Sequence, residues 1–192
     1  MDLIFATNNI NKINEIRQII PAGFNLITLH EAGIKIDIPE PHDSLRENAS
    51  EKSQTIYKLT GKSCFSEDTG LEVDALDGAP GVRSARFAKA DEGYSGNNDK
   101  LLKLLGHNPN RHARFRTVIS LILEGEEYFF EGKCEGTILM RPKGSNGFGY
   151  DPVFVPDGGE KSFGEMSMEE KKTFSHRRKA MDLLIAFLHK RS

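Results

Sequence analysis

The first third of the chain alternates between apolar patterns that are typical of strands and of helices. Residues 3–6, Leu-Ile-Phe-Ala, form a continuous apolar run, which predicts a short buried strand. Thr7, Asn8 and Asn9 follow with turn and helix-capping chemistry. The apolar residues that follow recur at helical spacing and predict a helix: Ile10, Ile13, Ile16, Ile19 and Ile20. Pro21 ends this predicted helix. Residues 24–29 predict a second strand.

Further along, the pattern favours one more helix and then antiparallel strands. Ser44 and Glu47 have the spacing of a capping box, which predicts a helix that continues towards Leu59. Residues 63–66 predict a short strand, with Glu67-Asp68-Thr69-Gly70 at its end. The other predicted elements are a hairpin of residues 115–123 and 127–134, a helix over 98–105, a glycine-rich loop over 144–150, a strand over 152–155 and a last helix capped by Ser175.

Together these elements predict a mixed α/β sheet with helices on its faces. The length of 192 residues suits a single domain, predicted over residues 1–192. Hydrophobic residues at 38% and charged residues at 28% are ordinary for a soluble globular protein. No apolar run approaches the roughly 20 residues of a membrane span, and the first residues carry no basic flank or cleavage site. We therefore expect neither a membrane partner nor a signal peptide.

Cysteine content and charge narrow the possible partners. Cys64 and Cys134 have no metal-binding spacing, which predicts a reduced, cytoplasmic chain and no metal held by thiolates. The net charge is −2, from 26 basic and 28 acidic residues, so the basic excess of a nucleic-acid-binding protein is missing. Acids gather between residues 40 and 77 and bases between 171 and 179. This separation of acidic and basic residues is suitable for binding a polyanion through a bridging metal ion; the alternative is that it has no functional meaning.

The segment from Thr7 to Lys12 is the first candidate for chemistry. It lies between a predicted strand and a predicted helix, where free N–H groups and the positive end of the helix dipole attract a phosphate. Lys12 adds a full positive charge in the first turn. The alternative interpretation is ordinary helix capping with a solvated lysine.

Acidic residues supply the second candidate. Glu67 and Asp68 follow a predicted strand, and Glu40 lies in a proline-bounded loop. Their oxygens are ligands that Mg²⁺ prefers, with positions left for substrate phosphates; the alternative is a solvated acidic turn. Lys52 lies about one helical turn beyond Glu47, and taken alone it is more simply a surface lysine.

The C-terminal half holds two more candidates. Three glycines surround Phe148 in residues 144–152, an arrangement that allows close backbone approach and stacking of a planar base. The alternative there is a hairpin corner with buried aromatics. His176 and Arg177 follow Ser175 at a helix start, where they can donate to carbonyl or phosphate oxygens, or form a solvated basic face. Serine hydrolysis is not expected, because no G-x-S-x-G elbow exists.

The order and spacing of these motifs closely resemble the inosine/xanthosine triphosphate pyrophosphatase family, from residue 3 to about residue 188. The matching motifs are Thr7-Asn8-Asn9…Lys12, Glu47-Asn48-Ala49…Lys52, Ser66-Glu67-Asp68-Thr69-Gly70-Leu71, Gly78-Ala79-Pro80-Gly81…Ser84-Ala85-Arg86, Gly147-Phe148-Gly149-Tyr150-Asp151-Pro152 and Ser175-His176-Arg177. The resemblance implies an elongated mixed sheet with flanking helices, in two lobes around a central active-site cleft, and a homodimer. It also implies Mg²⁺-dependent hydrolysis of ITP, dITP and XTP to the monophosphate and pyrophosphate.

The resemblance also implies roles for individual residues. Asp68 matches a catalytic, metal-binding aspartate, and Glu40 falls where the family has a metal-binding glutamate. The implied substrate-binding residues are the phosphate loop Thr7, Asn8, Asn9 and Lys12, then Lys52 and Thr69, the base-binding loop Phe148, Gly149, Tyr150 and Asp151, Lys171, and the purine-reading pair His176 and Arg177.

The sequence departs from the family pattern at Glu67, where many bacterial members have aspartate, so a metal role for Glu67 stays open. Two alternatives to the implied function remain. One is a Maf-like pyrophosphatase acting on other modified or pyrimidine triphosphates, which the Ser-His-Arg element disfavours. The other is a nucleotide sensor without turnover, which would not require the full acidic set.

Overall fold

A computed structural model describes residues 1–89 and 92–191. Seven strands are found in these residues: β1 (Asp2–Phe5), β2 (Asn25–Thr28), β3 (Cys64–Val73), β4 (Pro80–Gly81), β5 (His112–Leu123), β6 (Glu126–Ile138) and β7 (Phe154–Pro156). The α-helices are α1 (Ile10–Arg17), α2 (Leu45–Thr60), α3 (Asn97–Leu105), α4 (Met168–Phe174) and α5 (His176–His189). Short 3₁₀ turns occupy Asp74–Leu76, Ser84–Arg86 and Asp151–Val153.

The strands form a mixed sheet, which confirms the predicted α/β class. Its order is β2-β1-β3-β5-β6-β7, and β4 pairs with β3 away from this path. Strand β1 pairs in parallel with both β2 and β3, with Ile4 opposite Ile27 and Cys64. Strand β4 is antiparallel to β3, and β7 is antiparallel to β6.

The chain divides into two compact units. Unit 1 comprises residues 1–68, 117–132 and 177–192, and unit 2 comprises residues 69–116 and 133–176. Strands β3, β5 and β6 contribute residues to both units. The divisions fall between Asp68 and Thr69, and again between His176 and Arg177. The single domain and the central cleft stay predictions.

Each unit has an apolar core of its own. In unit 1, helices α1 and α5 bury Ile16 and Leu184 against strand residues that include the stacked rings of Phe5 and Phe65, whose centroids are 4.5 Å apart. A smaller unit 1 cluster surrounds Ile56 of α2. In unit 2, the core contains Leu101 and Leu105 of α3 together with the aromatic residues Phe115, Tyr150, Phe154 and Phe163.

Several sequence predictions are confirmed with shifted ends. Ser44 caps α2 by accepting a hydrogen bond from the backbone N–H of Glu47 at 3.2 Å. The β5–β6 hairpin has Glu124 and Gly125 at its tip, both with positive φ, as a two-residue turn of the I′ type requires. Helix α1 is shorter than predicted, since it ends at Arg17, before Ile19 and Ile20. The predicted strand over residues 152–155 begins instead as a 3₁₀ turn and becomes β7 only at Phe154.

Two predictions of secondary structure were wrong or incomplete. Residues 67–70 lie inside the ten-residue strand β3 and not at its end, because the apolar pattern resumes with Leu71 and Val73. A separate helix, α4, precedes α5; Ser167 and Glu170 form its capping box. None of the helices in residues 1–89 and 92–191 combines the length and apolar character that crossing a bilayer would need.

Candidate active site

The N-terminus of helix α1 is capped by a side chain of the predicted phosphate loop. The Asn9 Oδ1 atom accepts hydrogen bonds from the backbone N–H groups of Asn11, at 3.0 Å, and Lys12, at 3.2 Å. The Thr7 hydroxyl accepts from the Asn9 N–H at 3.2 Å, and the Asn8 amide donates to the Ile36 carbonyl at 2.9 Å. Capping is therefore confirmed. The phosphate role stays a prediction, at a helix end whose dipole favours an anion.

Lys12 and Arg177 share one buried carboxylate in unit 1. The Nε atom of Arg177 lies 2.9 and 2.8 Å from the two oxygens of Glu67, and its Nη1 atom pairs with Glu15. The Nζ atom of Lys12 lies 3.3 Å from Glu67 Oε1. Glu67 and Arg177 are both 1% exposed, so their charges depend on each other for compensation.

The pKa values of this cluster follow from burial and from the paired charges. Burial opposes the charge on Glu67, but Arg177 and Lys12 outweigh it and lower the pKa of Glu67 to about 2. Burial also opposes the charge on Arg177, and Glu67 and Glu15 overcome it and raise the pKa of Arg177. The pKa of Lys12 is lowered, chiefly by burial, although Glu67 opposes that shift. Glu67 is therefore an ionised partner of two cations.

Lys52 lies in a second group of charges in unit 1. It is only 7% exposed, so the surface-lysine interpretation was wrong. Its Nζ atom lies 2.6 Å from Glu40 Oε1, 2.8 Å from the backbone carbonyl oxygen of Glu67 and 3.4 Å from Asp68 Oδ1. Helix α2 thus directs one ammonium group to both predicted metal-binding carboxylates.

Asp68 is the buried carboxylate with spare bonding capacity. It is 5% exposed, and its Oδ2 atom has no hydrogen-bond partner among residues 1–89 and 92–191. Burial raises the pKa of Asp68, and Glu40 adds to the increase, while Lys52 and Lys12 oppose it. A raised pKa makes the carboxylate a better proton acceptor, and the Oδ2 atom is the site where a proton or a cation would be bound.

Unit 2 holds the predicted base-binding loop. Asp151 Oδ2 accepts hydrogen bonds from the backbone N–H of Phe148 and from Lys171 Nζ, each at 2.8 Å. Asp151 and Lys171 are 3% and 5% exposed. The Lys171 ammonium lies 5.2 Å from the centroid of the half-buried Phe148 ring. A Cβ atom on Gly147, whose φ is +72°, would collide with the Asp151 carboxylate, so the loop requires glycine there.

Tyr150 and His176 are packed inside unit 2. The Tyr150 hydroxyl donates to the Ser84 carbonyl at 2.9 Å, and burial raises the pKa of Tyr150. The His176 ring stacks on Phe115 with centroids 4.7 Å apart, and His176 is 3% exposed. Thr69 is half-buried on β3, and Gly149 is exposed with a φ of +62°. The substrate contacts predicted for these residues stay predictions.

The family model of the Ham1 family matches residues 3–187. A dITP/XTP pyrophosphatase of Porphyromonas gingivalis is 51% identical over 187 residues, which cover 97% of this chain and 96% of that protein. A dITP/XTP pyrophosphatase of Flavobacterium johnsoniae is 46% identical over 188 residues and covers 98% of both chains. The chain belongs to the Ham1 family. The solved structure of the Staphylococcus aureus Ham1 protein superimposes with a TM-score of 0.89 at 38% identity, covering all of both chains.

Within this Ham1 chain, the structure gathers the predicted residues into two sets. Unit 1 holds Thr7, Asn8, Asn9, Lys12, Glu40, Lys52, Asp68 and Arg177, and unit 2 holds Thr69, Phe148, Gly149, Tyr150, Asp151, Lys171 and His176. Glu15 was not among the predicted site residues; it pairs with Arg177 and lies one helical turn after Lys12 on α1. Asn98, which donates to the carbonyl of Gly149, was not predicted either.

Proposed function

We propose that this chain hydrolyses deaminated purine nucleoside triphosphates, namely ITP, dITP and XTP, to the monophosphate and pyrophosphate. Membership of the Ham1 family and similarity to proteins named dITP/XTP pyrophosphatase support the proposal. The structural observation that carries it is Asp68, a buried carboxylate with an unpartnered Oδ2 atom among the described residues, a raised pKa and an ammonium group 3.4 Å from its other oxygen. The Asp68 carboxylate can therefore accept a proton, and the neighbouring Lys52 ammonium group attracts phosphate.

Asp68 would act on the attacking water. Hydrolysis of a phosphoanhydride requires a water molecule aligned with the bond that breaks and a group that takes its proton. The Oδ2 atom is available for this purpose, while the Oδ1 atom faces Lys52. The ion pair with Lys52 restricts the carboxylate, so the proton acceptor is held in one orientation.

The same carboxylates fit a Mg²⁺ ion. No three His, Cys, Asp or Glu side chains in the described ranges form a metal-binding group by themselves. Mg²⁺ is commonly bound by one or two carboxylates together with substrate phosphates and water, so Asp68 and Glu40 would suffice once a triphosphate is present. Glu67 is excluded from our assignment because both of its oxygens accept hydrogen bonds from Arg177. Bound Mg²⁺ would neutralise phosphate charge and make a coordinated water more acidic.

Positive side chains would bind the triphosphate. Lys12, in the first turn of α1, and Lys52, on α2, are both largely buried, with side-chain exposures of 14% and 8%. A buried ammonium group is weakly screened by water, so its attraction for phosphate oxygens is stronger than that of a surface lysine. The segment Thr7, Asn8 and Asn9 would contact the phosphates at the helix N-terminus, where the positive end of the helix dipole favours an anion.

The purine would be bound by residues of unit 2. The half-buried Phe148 ring offers a face for stacking, and Lys171, fixed by Asp151, offers a donor for a keto oxygen. Inosine and xanthosine carry a keto oxygen at position 6, where adenosine carries an amino group. A donor that faces an amino group is left unpaired, which disfavours ATP. Thr69, Gly149, Tyr150 and His176 complete the proposed set in unit 2, and the purine contact implied for Arg177, which lies in unit 1, stays a prediction.

Pyrophosphate release from a panel of nucleotides tests the proposal. We expect Mg²⁺-dependent release from ITP, dITP and XTP, and slower release from GTP, ATP and dTTP. A preference for dTTP or another pyrimidine would favour a Maf-like pyrophosphatase. Binding of ITP without release would favour a nucleotide sensor.

The homodimer, which the family resemblance implies, and the cytoplasmic location, which the cysteine content predicts, both belong to the proposal. We propose a homodimer in the cytoplasm, where a nucleotide pool would supply the substrate. Light scattering of the purified chain tests the homodimer, for which a mass of twice 21.4 kDa is expected.

A further inference from the structure

Two adjacent asparagines begin helix α3, and neither caps that helix. The N-cap is Gly96, which has no side chain, and no side-chain hydrogen bond caps this end. Asn97 and Asn98 instead direct their amides to other segments of unit 2. Asparagine has a low helix propensity, so helix formation alone does not account for two of them here.

Asn98 holds the predicted base-binding loop directly. Its Nδ2 atom donates to the carbonyl oxygen of Gly149 at 3.0 Å. A carbonyl can only accept a hydrogen bond, so this contact fixes which end of the Asn98 amide faces the loop. The Oδ1 atom is buried and has no hydrogen-bond partner in residues 1–89 and 92–191. Gly149 has a φ of +62°, and no atom lies within 4 Å of the position that a Cβ atom would occupy. Because Gly149 has no side chain and open space beside it, side-chain packing does not fix its position.

Asn97 contacts the same loop indirectly, through the segment that contains Ser84 and Ala85. Its Nδ2 atom donates to the carbonyls of Ser84, at 3.1 Å, and Ala85, at 3.2 Å, and its Oδ1 atom accepts from the Ala88 N–H at 2.8 Å. The Ser84 carbonyl also accepts the hydrogen bond from the Tyr150 hydroxyl at 2.9 Å. Asn97 therefore fixes the backbone group against which Tyr150 is anchored.

We propose that Asn97 and Asn98 are positioning residues for loop 147–151, and that they set the affinity for the purine base without touching the phosphates. This inference rests on the proposed function, because it assumes that the loop binds the base. The two amides fix Gly149 and Tyr150, which lie on the C-terminal side of Phe148 in the loop. A loop that is already ordered loses less conformational entropy when the base binds, so the amides favour binding by preorganisation.

Asparagine-to-aspartate substitutions separate positioning from stability. Asn98→Asp replaces the donor to Gly149 with an oxygen, and Asn97→Asp removes the donor to Ser84 but keeps an acceptor for Ala88. Negative charge in the first turn of a helix is favourable, so α3 itself should not lose stability. Asn108→Asp is a matched control. The Oδ1 atom of Asn108 accepts a local hydrogen bond from the Asn110 N–H at 2.9 Å, and no other hydrogen bond of this side chain is found in the described residues.

Calorimetric binding of IMP and of inorganic pyrophosphate, each with Mg²⁺, provides the decisive measurement. Asn98→Asp, which loses one hydrogen bond to the loop, should weaken IMP binding and raise KM for ITP about 2- to 12-fold. Asn97→Asp, which loses the hydrogen bonds to Ser84 and Ala85, should change both quantities in the same direction. Pyrophosphate affinity, kcat and the thermal midpoint should match the Asn108→Asp control. An increase in KM at constant kcat is expected because the loop holds the base equally in the ground state and the transition state.

Three results would overturn the inference: unchanged IMP affinity in both variants, an equal loss of IMP and pyrophosphate affinity, or loss of the fold. Failure of the proposed function is distinguishable from these, because the unsubstituted protein would then neither bind IMP nor release pyrophosphate from ITP. That outcome would also remove the inference, since the loop would have no base to bind.

Discussion

Replacement of Arg177 by alanine should strongly destabilise the chain. The substitution removes the main cation from the buried carboxylate of Glu67 and the partner of Glu15. Removal of one partner from a buried ion pair costs roughly 3–5 kcal/mol. The decrease in the pKa of Glu67 from 4.5 to about 2 corresponds to about 3 kcal/mol of stability, to which Arg177 and Lys12 both contribute against the cost of burial. For a domain of this length, 3–5 kcal/mol lowers the thermal midpoint by roughly 6–20 °C.

The pH dependence of this loss follows from the sign of the Glu67 shift. The pKa of Glu67 is lower in the folded state, so its stabilising contribution is complete above the unfolded value of 4.5 and is lost as pH falls towards about 2. In the Arg177→Ala variant the pKa of Glu67 rises, and the buried carboxyl takes up a proton more readily. The difference in unfolding free energy between the two proteins should therefore decrease below about pH 5.

Urea unfolding at pH 7 and pH 4 measures this difference. Arg178→Ala is the matched control, because Arg178 lies next in sequence and pairs with Asp182 on the exposed face of α5 at 2.8 Å. Loss of that surface pair should cost about 0.5 kcal/mol or less. The reasoning is refuted if Arg177→Ala costs no more than Arg178→Ala at pH 7, or if the difference does not decrease in acid.

Two substitutions test the proposed catalytic and metal-binding carboxylates by steady-state kinetics. Asp68→Asn should retain the fold and nucleotide binding, because Lys52 keeps Glu40 as a partner at 2.6 Å, but should lower kcat by roughly 10²–10⁴-fold through loss of the proton acceptor. A near-normal kcat would remove Asp68 from this role. Glu40→Gln should raise the Mg²⁺ concentration required for half-maximal rate, with partial recovery at high Mg²⁺, whereas Glu51→Gln on the exposed face of α2 should not. An unchanged Mg²⁺ titration would contradict the metal assignment.

Local patterns predicted most of the elements from the sequence. The apolar run of residues 3–6, the Ser44 cap and the turn at Glu124 and Gly125 each carry their signal within a few residues, and β1, α2 and the β5–β6 hairpin are confirmed. Helix α4 has an equally local signal, the capping box of Ser167 and Glu170, although this helix was not predicted. Ends of elements were less predictable, because the packing of Leu71 and Val73 extends β3 through the acidic residues.

The charge partners in the site could not be predicted from sequence spacing. Arg177 and Glu67 are 110 residues apart, and only the folded chain brings them into contact. In the sequence, nothing distinguishes Lys52 from a surface lysine. Its burial depends on Glu40 and Asp68, whose carboxylates lie 2.6 and 3.4 Å from its ammonium group in the folded chain. The resemblance to a known family supplied the residues but not the partner that each of them contacts.

The products formed from ITP test the central claim most directly. The chain, with Mg²⁺, should convert ITP to IMP and pyrophosphate in equal amounts, resolved by ion-exchange chromatography, and ATP should be converted much more slowly. Removal of Mg²⁺ with a chelator should stop the reaction, and excess Mg²⁺ should restore it. Formation of IDP and inorganic phosphate, or equal rates with ITP and ATP, would contradict the proposed reaction.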